Sequence, residues 1–195
     1  MSEKKPFSLL LLIFLLSAFC SYHIYYYCLN EKNNYLVENY YVQNEALVSN
    51  PPVIVEKTNN NYEVYLGILK IPKLSMELGF YNLNSEKNDV NQNIQILKDS
   101  VMPNVLGGTI YFAAHSGDSY LGYFKNISKL EIGDDIIINY QNKDYNYIVN
   151  DIFELDKNGV IEVNKNVNEN YVVLTTCSRN KEKQLIISGK LLKGV

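Results

Sequence analysis

A run of apolar residues near the N-terminus, FSLLLLIFLLSAFC continuing through SYHIYYYCL, limits what this chain can do more than any other segment. From Phe7 to Leu29 it is long enough, as a helix, to cross a hydrocarbon core of about 30 Å. Lys4 and Lys5 precede it, and Tyr22 and Tyr25 to Tyr27 form an aromatic cluster suited to a membrane–water interface. The reading is a single-pass signal anchor with the N-terminus in the cytoplasm and the remainder outside. A cleaved signal peptide is the rival, because Ser17 and Ala18 supply small residues; against it, no A-x-A-like site follows and the hydrophobicity continues past Cys20. A lipoprotein reading of LSAFC is weaker, since Phe19 stands where a lipobox needs a small residue.

Three parts are expected: a cytoplasmic tip and membrane anchor over 1–29, a polar stalk or linker over 30–61, and a globular domain over 62–195. The stalk is rich in Asn. NEKNNYLVENYYVQNEALV can continue the anchor as a short helix, which Pro51-Pro52 would end by fixing φ and removing donors. Beyond Tyr62 the pattern changes to short β-prone runs separated by turn signals, the mark of an all-β sandwich or barrel. EVYLGILKI, GTIYFAA, DDIIINYQ, YNYIVNDIFEL, GVIEV, YVVLTTC and LIISGKLL are the candidate strands. INYQNKDYNYIV reads as a hairpin turning near Asn142, a residue type that accepts φ > 0. Val90 to Lys98 is the candidate for a short helix inside the domain.

Charge excludes one class of function. Lys+Arg number 18 and Asp+Glu 21, scattered without a basic face, so phosphate neutralisation and nucleic-acid binding are not expected. The cysteines point elsewhere. Of three, Cys20 and Cys28 lie in or at the edge of the anchor, which leaves Cys177 as the one thiol of the exported part. A lone cysteine there has no intramolecular disulfide to form and is either a buried filler or a reactive group.

The exported part also holds one His, His115, and the whole chain one Arg, Arg179. His115 follows TIYFAA and Cys177 follows VVLTT, so both stand where a strand gives way to a loop, held by a sheet yet open to a groove. A free thiol is only a few per cent thiolate at neutral pH and needs a partner. A histidine can take up and return a proton, and a fixed guanidinium can stabilise an oxyanion. Together these meet the needs of acyl transfer. Taken singly, His115 could equally be a structural histidine and Arg179 a solvated loop charge. One His and one Cys far apart, without C-x-x-C or H-x-x-x-H spacing, do not make a zinc site, and no cofactor is called for.

IPKLSMELGFYN, MPNVLGGTIYFAAHSGD, YFKNISKLEIGDDIIINY and VVLTTCSR, in that order, resemble the motif series of sortases, the Gram-positive surface-protein transpeptidases; the resemblance spans roughly Leu66 to Leu192. It implies a closed eight-stranded sortase-type β-barrel with short helices. It further implies cleavage at an LPXTG-like sorting signal of a surface protein, a thioester on the cysteine, and resolution by an amino group of a peptidoglycan precursor or of a pilin. His115 stands in the family's A-G-H position as Ala113-Ala114-His115, and Cys177 in its T-L-x-T-C position. Two departures stand out: Val173 replaces the first Thr of the cysteine motif, and Gln184 occupies the place where members carry their arginine. The oxyanion donor is therefore Arg179 reaching back, or Lys183 or Gln184 in its stead. A thiol peptidase that passes the acyl group to water, and a non-catalytic scaffold that kept the barrel, are the other readings. Substrate selection is expected in the loop from Asp156 to Asn170.

Overall fold

The computed structural model describes residues 5–49, 64–157, 161, 168–180 and 182–192. Lys4, the end of the stalk segment, most of the GVIEV run and most of the Asp156–Asn170 loop lie outside them. Two compact units divide between Tyr35 and Leu36. The first consists of helix, the opening part of α1 (Lys5–Ser49). Its residues Leu9–Phe19 are all exposed, as an apolar helix without a protein partner must be. By length and composition this helix can cross a membrane.

The second unit is a mostly β domain with eight strands among the described residues: β1 (Gly67–Ile71), β2 (Met76–Phe80), β3 (Gln95–Ile96), β4 (Thr109–Ala113), β5 (Asp135–Tyr140), β6 (Lys143–Asp156), β7 (Tyr171–Cys177) and β8 (Lys183–Leu191). They form one sheet in the order β2-β1-β5-β6-β8-β7-β4-β3. Its two edges nearly meet. Phe80, at the end of β2, bridges Ile94, just before β3, and the Asn93 amide donates to the Gly79 carbonyl at 2.8 Å. The result is the nearly closed eight-stranded barrel implied by the motif series. Its helical additions are two single 3-10 turns, Pro72–Leu74 and Ile127–Lys129.

Alternation along the strands fills the interior. Leu69, Ile71, Phe80, Ile94, Ile96, Ile110, Phe112, Ile136, Ile138, Tyr147, Val149, Val172, Leu174 and Ile187 form the main core. Each such side chain contributes about 1.5–3 kcal/mol by leaving water. β7 is buried on both faces: Val172 and Leu174 point into the core, while Val173 joins Tyr111 and Ile186 in a second cluster outside it. That is why VVLTT reads as a continuous apolar run rather than an alternating one. Its pairing with β4 is parallel, whereas the other named strand pairs are antiparallel.

The turn expected near Asn142 is a two-residue connection between β5 and β6, with Gln141 at φ 52° and Asn142 at φ 60° and Tyr140 opposite Lys143. Positive φ at both central residues matches the twist of the flanking strands. The helix expected over Val90–Lys98 is absent. Gln95 and Ile96 pair with β4 instead, and Asn88 clamps Ile96 by accepting from its N–H at 2.7 Å and donating to its carbonyl at 3.0 Å. Only one helix-like turn remains, in which the N–H groups of Gln92 and Asn93 reach the Asp89 carbonyl. A lone turn fixes several dihedrals for few hydrogen bonds, and Asn side chains offer the backbone a competing partner.

Within the segment read as a stalk, α1 continues to Ser49, and residues 36–44 belong to the barrel unit. Leu36 and Tyr40 bury against Tyr65, Ile68 and Tyr81. The Tyr40 hydroxyl donates to Asn139 Oδ1 at 3.0 Å, and the Asn142 amide donates to the Asn44 carbonyl at 2.6 Å. Burial pushes the Tyr65 phenol up from its ordinary value, so it stays neutral.

Beneath that contact lies Gly79, in a strand not expected from the sequence. A Cβ there would meet the Tyr65 ring at 2.0 Å, and Asn93 donates to the Gly79 carbonyl at 2.8 Å. Gly79→Ala is expected to destabilise the domain by about 1–3 kcal/mol, the usual penalty for overpacking. Since the chain has no Trp, urea unfolding followed by the near-ultraviolet dichroism of its tyrosines is the direct check. An unchanged midpoint would show that the ring has room to move.

Candidate active site

β4 and β7 run side by side in the same direction, with Ala113 opposite Thr175 as the last registered pair. The match continues past the strand ends. The Ala114 N–H reaches the Thr175 carbonyl at 3.3 Å, Thr176 Oγ1 donates to the Ala114 carbonyl at 2.6 Å, and Ser116 Oγ donates to the Cys177 carbonyl at 2.8 Å. His115 lies two residues beyond Ala113 and Cys177 two beyond Thr175, so the ladder brings them level on adjacent strands. Neighbouring strands are about 4.8 Å apart. Two sequence-predicted residues separated by more than sixty positions thus follow the paired strand ends on the same edge of the sheet.

Burial changes sharply at this point. Tyr171 through Thr176 are buried, and Cys177 is exposed as a free thiol. It opens onto a groove of about 350 Å³ whose walls include Ser116, Phe124, Lys125, Glu154 and Arg179. His115 is half-buried; its carbonyl accepts from the Phe124 N–H at 2.9 Å, and its Nε2 lies 3.3 Å from Asn91 Oδ1. The loop between His115 and Phe124 folds back on itself tightly. A Cβ at Gly122 would meet the Gly117 carbonyl oxygen at 1.7 Å, so only glycine allows that approach.

Arg179 sits in the short connection between β7 and β8. The strand ends at Cys177, and the chain turns at once: the Ser178 N–H reaches the Lys183 carbonyl at 3.0 Å and the Lys183 N–H reaches the Asn180 carbonyl at 2.9 Å. Because of this turn Arg179 is not on the strand that ends in Cys177, and it lines the same groove. Glu154 on β6 ties the connection down by accepting a hydrogen bond from Ser178. Gln184 is on β8, directly opposite Cys177 in the antiparallel register, and its Oε1 accepts a long hydrogen bond from Thr175 at 3.4 Å. Lys183 heads β8 one residue earlier and pairs across with Asp156. Both alternatives to Arg179 are therefore adjacent to the thiol strand.

Sequence reasoning missed Asn91, Ser116 and Glu154. Ser116 was legible as the residue after the histidine, but nothing in the sequence linked Glu154 to Ser178, and Asn91 lay in the segment read as a helix. Among the described residues no group of three or more His, Cys, Asp and Glu side chains could hold a metal ion.

A model of the sortase domain matches residues 69–192, which covers β1 to β8 almost completely. Comparison with curated protein sequences returns no match. Among solved structures, sortase C1 of Streptococcus agalactiae is 24% identical, with a TM-score of 0.58 over 76% of this chain and 76% of that one. Sortase C1 of Streptococcus suis is 22% identical, with a TM-score of 0.61 over 68% of this chain and 75% of that one. Sortase C-1 of Actinomyces oris is 19% identical, with a TM-score of 0.60 over 69% of this chain and 77% of that one. These structures share the barrel, and the domain match extends over well more than half of the residues: the chain belongs to the sortase family.

Proposed function

We propose that this sortase is an extracytoplasmic cysteine transpeptidase, with Cys177 as nucleophile, His115 as acid/base partner and Arg179 as oxyanion donor. The observation that supports the proposal is the parallel β4–β7 register, with Ala113 opposite Thr175, which brings the paired strand ends preceding His115 and Cys177 to one edge of the sheet, where the exposed thiol opens onto a groove. The substrate is a surface protein bearing an LPXTG-like sorting signal. Cys177 Sγ attacks the scissile carbonyl carbon; the C–N bond breaks, His115 gives its proton to the leaving amine, and a thioester remains. An amino group of a peptidoglycan precursor or a pilin then attacks the thioester. His115 takes the proton, a new amide forms and the thiolate leaves.

The N-terminal helix serves in this account as a retained membrane anchor, with Lys4 and Lys5 in the cytoplasm and the barrel outside. The proposed organisation is tip and anchor over 1–29, a connecting segment over 30–61 whose residues 36–44 pack with the barrel unit, and catalytic domain over 62–195. The segment from Asp156 to Asn170, which precedes β7 in the sequence, is proposed to select the sorting signal.

Cys177→Ala is expected to abolish cleavage of an LPXTG-type peptide while the tyrosine dichroism of the folded domain persists. Turnover near wild type in that variant would sink the nucleophile assignment.

The oxyanion donor is tested by a pair of substitutions. A guanidinium offers a rigid, charged donor fork, whereas a neutral Gln184 amide already engaged by Thr175 stabilises developing charge less. Losing one preorganised donor typically lowers turnover by roughly 10²–10³. Arg179→Ala is expected to show a drop of that order in kcat with KM changed less, and Gln184→Ala a smaller one. The reverse ranking would transfer the role to Gln184 and leave Arg179 a surface charge.

A further inference from the structure

His115 is oriented by a second residue that no motif points to. Its Nε2 faces Asn91 Oδ1 at 3.3 Å. The direction of that contact is set one step further out. Asp89 Oδ1 accepts from both the Asn91 backbone N–H at 2.7 Å and the Asn91 Nδ2 amide at 3.0 Å. An ionised carboxylate only accepts, so the amide must turn its NH₂ toward Asp89 and its oxygen toward the imidazole. A carbonyl oxygen in turn only accepts, so the proton in this contact belongs to Nε2 of His115.

The loop that presents Asn91 is held in place by its own polar contacts. The Gln92 and Asn93 N–H groups close onto the Asp89 carbonyl, Asn93 donates to Gly79, and Tyr123 donates to the Gln92 carbonyl at 3.2 Å. Asn88 anchors the same segment to β3. These bonds pin the loop at both ends of the Asp89–Asn93 turn, so Asn91 meets the imidazole from a fixed direction.

We infer that Asn91 is a positioning residue that holds His115 in the Nε2–H tautomer and leaves Nδ1 as the nitrogen that exchanges the proton during acyl transfer. This rests on the reading of His115 as the acid/base partner, and its test separates the two. The full chain, labelled with ¹⁵N-histidine and held in detergent micelles, reports the imidazole tautomer by nitrogen chemical shift; a His23→Gln background removes the other histidine. Wild type is expected to show neutral His115 protonated at Nε2. Asn91→Leu is expected to give a mixture of tautomers with kcat lowered roughly tenfold or more, part of the 10²–10⁴ that acid–base catalysis supplies, and KM little changed. Asn91→Asp keeps an acceptor at that point and is expected to retain the Nε2–H form. A wild-type imidazole spectrum in Asn91→Leu overturns the assignment whatever the activity. Full peptide cleavage by His115→Ala overturns instead the reading on which it rests.

Discussion

Parallel pairing of β4 and β7 is the constraint on which the site depends. Two strands that run in the same direction deliver their C-terminal ends to the same edge of the barrel, so residues just past those ends are neighbours without any loop having to reach across. Register matters as much as direction. Ile110 and Phe112 on β4, with Val172 and Leu174 on β7, must all face the core, and a slip of one residue would turn every one of them outward. The apolar pattern that fills the barrel therefore also sets the register of the paired strand ends that His115 and Cys177 follow.

Precision beyond the strand ends comes from polar contacts of modest individual strength, each worth about 0.5–1.5 kcal/mol net. Thr176 and Ser116 stitch the two chains together past the ladder, Glu154 holds Ser178, and Phe124 closes the loop behind the histidine. Around an exposed thiol these bonds act less as stabilisers of the fold than as limits on where the reactive groups can move. The groove wall carries both signs of charge, with Lys125 and Arg179 on one side of the account and Glu154 engaged by Ser178 on the other.

Much of this was legible in the sequence, and the parts that were not share a cause. TIYFA and VVLTT announce themselves as strands because burial on both faces leaves little alternation in them, and His115 and Cys177 at their ends mark the candidate site. The Gln141-Asn142 turn is readable because Asn tolerates positive φ. By contrast β2 is short and carries Glu77 and Gly79; it pairs with β1, and Tyr65 packs on that glycine while Asn93 bonds its carbonyl, partners that no local pattern encodes. The segment from Asn82 to Ile96 is organised by Asn and Asp side chains bonding to nearby backbone, which periodicity cannot detect, so a clamped loop and β3 stand where the pattern suggests a helix. Likewise Leu36 and Tyr40 lie in a stretch whose composition is polar, and their burial follows from tertiary contacts with Tyr65, Ile68 and Tyr81. The ambiguity between Arg179 and Gln184 is a matter of reach within the β7–β8 connection, and only geometry addresses it.

The central claim is that Cys177 carries the acyl group and hands it to an amine. Mass spectrometry of the full chain after a pulse of LPXTG-type peptide tests this most directly, read with and without added amine acceptor. The account predicts a thioester adduct on the fragment that contains Cys177, chased into an amide-linked product when amine is present. Free acid as the sole product under both conditions would make the chain a hydrolase, and the absence of both adduct and product would contradict the account.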